Sequence, residues 1–146
     1  MEKNLSDGLP LPQRYGAIAT IIIGISMAVL DGAIANVALP TIASDLHASP
    51  ASSIWIVNAY QIAIVVSLLS FSFLGDMFGY RRVYQCGLVV FTFTSLFCSL
   101  SDSLHTLTLA RIAQGFGGAA LMSVNTALIR LIYPQRHLGR GMGINS

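Results

Sequence analysis

Four apolar stretches, at about residues 16–39, 54–75, 83–101 and 105–129, account for most of this 146-residue chain. A bilayer core of about 30 Å is crossed by roughly 20 apolar residues in a helix, and each stretch has about that length. Charged residues make up 10% of the sequence, against about 25% in a soluble domain. With 54% hydrophobic residues and a mean hydropathy of +0.70, the main solvent for this chain is lipid. The expected fold is all-α: a polytopic membrane protein with four transmembrane helices.

Basic residues set the expected orientation. Lys3 and Arg14 precede the first span, Arg81 and Arg82 join the second to the third, and Arg130, Arg136 and Arg140 follow the fourth. The two intervening loops, about 41–53 and 102–104, carry no Lys or Arg. Positive charge is retained on the cytoplasmic side, so the N-terminus is expected in the cytoplasm of a multi-pass protein of the inner (plasma) membrane. The net charge of +2 is too small to suggest nucleic acid. Ala33 and Ala35 imitate a small-residue cleavage site, but the first apolar run is longer than a signal peptide's and three more spans follow.

Residues 1–15 read as a polar cytoplasmic lead containing Gly8, Pro10 and Pro12, and residues 16–146 as the membrane domain. The first span is expected to stop at Leu39-Pro40, because the residue before a proline is pushed out of helical geometry. Ser49-Pro50 suits the start of the second helix. Trp55 and Tyr60 near its outer end suit the membrane interface. Thr20, Gly24, Ala28, Gly32 and Asn36 form a ridge of small side chains at four-residue spacing, of the kind that lets helices approach closely in lipid. The short turn at Ser101-Asp102-Ser103 makes the third and fourth helices an antiparallel pair.

Two lone charges stand out against this apolar background. Asp31 is the only charge between Gly16 and Leu39, and Arg111 is the only permanent one between Ser103 and Ile129. Each lies about a third of the way in from the same end of its span; nine residues of helix put Asp31 roughly 13 Å from Pro40. A charge in hydrocarbon costs a few kcal/mol or more, so it faces a protein interior or a watery path. Burial and a nearby cation act on a carboxyl group in opposite senses, which suits proton coupling. A static ion pair, or an Arg111 that snorkels to the interface, fits the same residues.

Positions 111, 114, 118, 122 and 125 share one helical face. That face carries Arg111, Gln114, Gly118, Met122 and Asn125, and is expected to look into the protein. Gly115, Gly117 and Gly118 are expected to pack against neighbouring helices. Asn58 and Gln61 share a face of the second span, where a packing hydrogen bond and a substrate contact are equally open; with Asn36, Gln114 and Asn125 they are candidates for a substrate path. Between the second and third spans, Gly75-Asp76-Met77-Phe78-Gly79-Tyr80-Arg81-Arg82 must turn sharply. Gly79 can take the positive φ required. Asp76 opposes the dipole at its helix end and needs a compensating partner.

Cys86 and Cys98 are about 18 Å apart along one helix, too far for a disulfide. His47, His105 and His137 lack metal-ligand spacing. No cofactor or metal is expected, and the absence of a nucleophile–base arrangement argues against an enzyme.

At three segments the chain resembles the major facilitator superfamily, and within it the fourteen-helix drug:proton antiporters. Leu30-Asp31 through Ala38-Leu39-Pro40 is similar to the first-helix signature, Gly75-Asp76 through Gly79-Tyr80-Arg81-Arg82 to the loop signature, and Arg111-Ile112-Ala113-Gln114-Gly115-Phe116-Gly117 to the fourth-helix signature. Ser72 and Met77 depart from the loop pattern, standing where a glycine and a basic residue are usual. The resemblance implies Asp31 as a coupling acid, Arg111 as a participant in proton transfer, and Asp76 and Gly79 with Arg81 and Arg82 as a conformational latch. It further implies protons and a small amphiphilic substrate as partners; an organic cation would suit Asp31. It covers the whole chain but a third or less of a family transporter. The chain therefore reads as the N-terminal part of an exporter, ending at the start of a fifth helix near Gly141, inactive alone and completed by further transmembrane helices of the same transporter. The rival reading is a self-sufficient four-helix membrane protein that acts as an oligomer or binds a membrane assembly.

Overall fold

The computed structural model describes residues 11–132 and Gly143. The described fold is four helices: α1 (Leu11–Asp45), α2 (Pro50–Phe78), α3 (Tyr80–Ser99) and α4 (Leu104–Ile132). Three of them, α1, α2 and α4, are long and apolar enough to cross a membrane. Most of the expected lead, and of the fifth-helix start from Gly141, lies outside the described residues, as do Lys3, Arg136, His137 and Arg140.

The first helix departs from expectation at both ends. It begins at Leu11, inside the expected lead, and runs through Pro40 to Asp45 without a break. Proline removes one backbone donor, which leaves the Asn36 carbonyl without its usual intrahelical partner, yet transmembrane helices tolerate such positions. The loop between α1 and α2 consequently shrinks from about 41–53 to four residues, 46–49, with His47 in the left-handed region at φ 48°. As expected, α2 starts at Ser49-Pro50: the Ser49 hydroxyl accepts from the Ser52 amide at 3.2 Å, a standard N-cap, and Pro50 takes the position where no N–H is needed.

Packing centres on α4, which lies between α2 and α3 and holds the largest share of buried residues. Its small residues are the reason. A Cβ on Gly117 would stand 2.7 Å from the Phe91 backbone nitrogen, and one on Gly115 2.7 Å from the Tyr60 carbonyl oxygen. Gly87 on α3 meets Ala120 with the same closeness. Backbones that approach this far gain dispersion contacts along their length, the principal adhesive between helices in lipid. Leu121, Val124, Leu128 and Ile132 continue the core toward the C-terminal end of α4, where Ile21 of α1 and Tyr84 of α3 join it.

The ridge on α1 is used only in part. Gly24 and Ala28 are buried, whereas Thr20 and Asn36 are exposed and Gly32 faces open space. At Gly24 the occupant is Tyr84, whose hydroxyl donates to the Ile21 carbonyl at 3.1 Å. The missing side chain at position 24 is what lets the phenol reach a main-chain acceptor on α1.

Candidate functional site

Asp31 and Arg111, eighty residues apart in sequence, meet directly. Arg111 Nη1 donates to Asp31 Oδ2 at 2.6 Å and to Gln114 Oε1 at 2.7 Å. Gln114 Nε2 in turn donates to Asp31 Oδ1 at 2.9 Å, closing a three-residue ring of hydrogen bonds. The ring forms because Arg111 and Gln114 are three residues apart on α4 and so project together, and because the antiparallel run of α1 brings Asp31 level with them.

Arg111 is 4% exposed and Asp31 20%. That burial removes the interface-snorkelling alternative for Arg111: its guanidinium is held inside, over the ring of Tyr60. Tyr60 itself is buried, so it does not belong to an interfacial belt, while Trp55 is exposed. An aromatic face is an effective low-dielectric partner for a cation. Asp31 keeps one side open. Cys98 of α3 approaches from a third direction, its thiol donating to Gln114 Oε1 at 3.6 Å. Among the described residues, Arg111 Nε and Nη2 find no acceptor.

The other candidates divide. Gln114 is fully buried within this ring, and Gly118 is buried next to the Tyr60 hydroxyl. Asn125 is half-buried, and its Oδ1 is a buried atom without a partner among the described residues. Met122, expected on the interior face, is 45% exposed because none of the four helices covers that part of α4. Asn36, Asn58 and Gln61 are exposed, and the Asn36 amide donates locally to the Gly32 carbonyl at 2.9 Å. Sequence reasoning missed Tyr60 and Cys98 as neighbours of the charged pair. Helix periodicity relates positions within one helix only, and both residues lie on others.

At the α2–α3 turn, Gly79 has φ 94°, the left-handed geometry expected of it. Asp76 of α2 takes its hydrogen bond from the hydroxyl of Tyr80, the first residue of α3, while Arg81 and Arg82 are exposed. The bond to Asp76, with partial burial and the nearby negative charge adding to it, raises the Tyr80 pKa above its ordinary value, so the phenol remains a donor.

The chain is similar in sequence to known proteins along most of its length. The sequence model of the Major Facilitator Superfamily matches residues 21–146. The chain is 86% identical, over its whole length, to 32% of the uncharacterized transporter YebQ of Escherichia coli K12. It is 36% identical, over 92% of its length, to 29% of the riboflavin transporter RibZ of Clostridioides difficile. It is 37% identical, over 79% of its length, to 24% of the putative multidrug resistance protein MdtD of Salmonella paratyphi B. The chain thus spans about a third or less of the length of these relatives.

Proposed function

We propose that this chain, which belongs to the major facilitator superfamily, supplies the first four helices of a proton-coupled exporter of small organic molecules. The observation that carries the proposal is the buried ring of Asp31, Arg111 and Gln114, with Asp31 partly open. The names of its relatives, a riboflavin transporter and a putative multidrug resistance protein, favour a small organic substrate.

In this reading Asp31 is the proton-carrying group. As a carboxylate it holds Arg111 and accepts from Gln114, so the pair fastens α1 to α4. Protonation removes the counter-charge from a buried guanidinium, and an unpaired buried cation is strongly destabilising. The fourth helix then gains by moving Arg111 toward another acceptor, supplied by further helices or by substrate; its Nε and Nη2 are donors for such a contact. A proton that binds one arrangement better than the other shifts the equilibrium between them. Transport would follow from rocking of two helical halves around a midplane site. Asp76 with Tyr80, Gly79, Arg81 and Arg82 would form the latch at the cytoplasmic side of the inner membrane, with the N-terminus also inside.

The test is flux through the complete reading frame that contains this chain, reconstituted in vesicles with an imposed pH gradient. Gradient-driven substrate movement that disappears in Asp31→Asn is the expected result. Flux indifferent to the gradient would overturn proton coupling, and an active Asp31→Asn protein would remove Asp31 from the mechanism.

A further inference from the structure

Tyr60 reaches the charged pair because α4 is bare along one line. Arg111, Gly115 and Gly118 stand at i, i+4 and i+7 and so share a face of that helix. A Cβ at Gly115 would lie 2.7 Å from the Tyr60 carbonyl oxygen, and one at Gly118 3.2 Å from the Tyr60 hydroxyl. Tyr60 therefore lies lengthwise over two glycines, with its ring centroid 4.4 Å from the guanidinium carbon of Arg111. Tyr60 is 5% exposed and Arg111 4%, so solvent does little to screen the contact.

The guanidinium divides its bonds unevenly. Nη1 alone serves both Asp31 and Gln114. Nε and Nη2 are buried and have no hydrogen-bond acceptor among the described residues. Their burial is complete within this chain, so a further helix does not reach them in this arrangement. What faces the remaining positive charge is the π cloud of Tyr60, a partner that needs no acceptor atom. While Asp31 is a carboxylate, the cation is held from two sides. Once Asp31 is protonated, Gln114 and the ring are left to compensate a buried cation. The ring then counts for more, because Asp31 Oδ2 no longer draws the guanidinium away from it.

We propose that Tyr60 is a positioning residue of the proton site: its ring face holds Arg111 in place when Asp31 is protonated, and so governs how readily Asp31 accepts a proton. The proposal rests on the reading of Asp31 as the proton-carrying group. A partner that favours one state of the site shifts the population toward it. Leucine at this position would fill volume but offer no π face. The charged and titratable groups around Asp31 among the described residues are Arg111 from α4, Tyr60 from α2 and Cys98 from α3.

The test uses the complete reading frame that contains this chain, with Cys98→Ser as background so that the thiol does not consume reagent. Tyr60→Phe is compared with mono-, di- and trifluorophenylalanine at the same position, which keep the ring while draining negative potential from its face. Dicyclohexylcarbodiimide, which modifies protonated carboxyl groups in apolar surroundings, is added across a range of pH. Mass spectrometry of the Asp31 peptide gives the midpoint of labelling. Tyr60→Phe should label like the parent. Successive fluorines should move the midpoint to lower pH, by about one unit, tenfold in proton concentration, over the series. Tyr60→Leu should match the trifluoro protein.

A midpoint indifferent to fluorination would make Tyr60 a spacer and overturn the proposal, as would a shift to higher pH. A full shift already present in Tyr60→Phe would assign the effect to the hydroxyl and overturn it too. An Asp31 that takes no carbodiimide at any pH would defeat both the proposal and the reading beneath it. The series reads Asp31 whether or not substrate moves, so flux indifferent to a pH gradient, with the fluorine dependence intact, would defeat the coupling reading alone.

Discussion

The guanidinium carbon of Arg111 stands 4.4 Å from the centroid of the Tyr60 ring. This contact joins α4 to α2 at the level where α1 contributes Asp31, so one arginine ties three helices together. A desolvated cation over an aromatic face is worth about 2 kcal/mol. Tyr60→Leu should therefore lower unfolding stability in detergent by about that amount, and Tyr60→Phe should retain most of it. The two midpoints in a denaturing-detergent titration decide the point; equal losses would mean that the hydroxyl, which both variants lack, and not the π face, matters.

Gln114 is bonded to both members of the ion pair. Gln114→Leu preserves bulk but leaves Asp31 Oδ1 short of a donor and deprives Arg111 of a second acceptor. The expected cost is about 1–3 kcal/mol, the usual penalty for stranding buried polar groups. If Gln114 is only a spacer, the variant will unfold with the parent.

Glycines that look alike in sequence should behave differently. Gly117→Ala puts a methyl 2.7 Å from the Phe91 backbone, which forces α3 away from α4 and should cost about 1–3 kcal/mol. Gly32→Ala meets nothing within 4 Å and should be neutral or stabilise by about 0.4–1 kcal/mol through the unfolded chain. Thermal midpoints of the two variants, measured side by side, check the close approach.

The Tyr80 phenol, bonded to Asp76, is held protonated above its ordinary range. Because the folded pKa is the raised one, the stabilisation is complete below the unfolded value of about 10 and is lost as pH climbs through the folded value. Asp76→Asn should move one tyrosine's share of the tyrosinate absorbance titration to lower pH than in the parent. Coincident curves for parent and variant would mean that the bond contributes nothing in solution.

The match between chain pattern and structure is closest where a signal is local. The cap at Ser49-Pro50 and the positive φ at Gly79 follow from chemistry within four residues, and both are found where expected. The break at Pro40 also rested on a local rule, but a long helix in lipid kept its ladder through the proline, since extending the helix satisfies more backbone groups than stopping there. The ridge on α1 had the right spacing, yet only Gly24 and Ala28 gained a neighbour.

By itself the amino-acid sequence determined an all-α membrane protein, the presence of two costly charges in apolar helices, and the small residues on α4 that admit close neighbours. Those properties depend on composition and on spacing along one helix, which are present in the chain before it folds. Only the tertiary structure decided that Tyr60 and Cys98 join the charged pair and that Tyr80 bonds Asp76. Each of these depends on the rotation of a helix about its axis or on the register between helices. Packing of the whole bundle selects those angles, and no single segment encodes them.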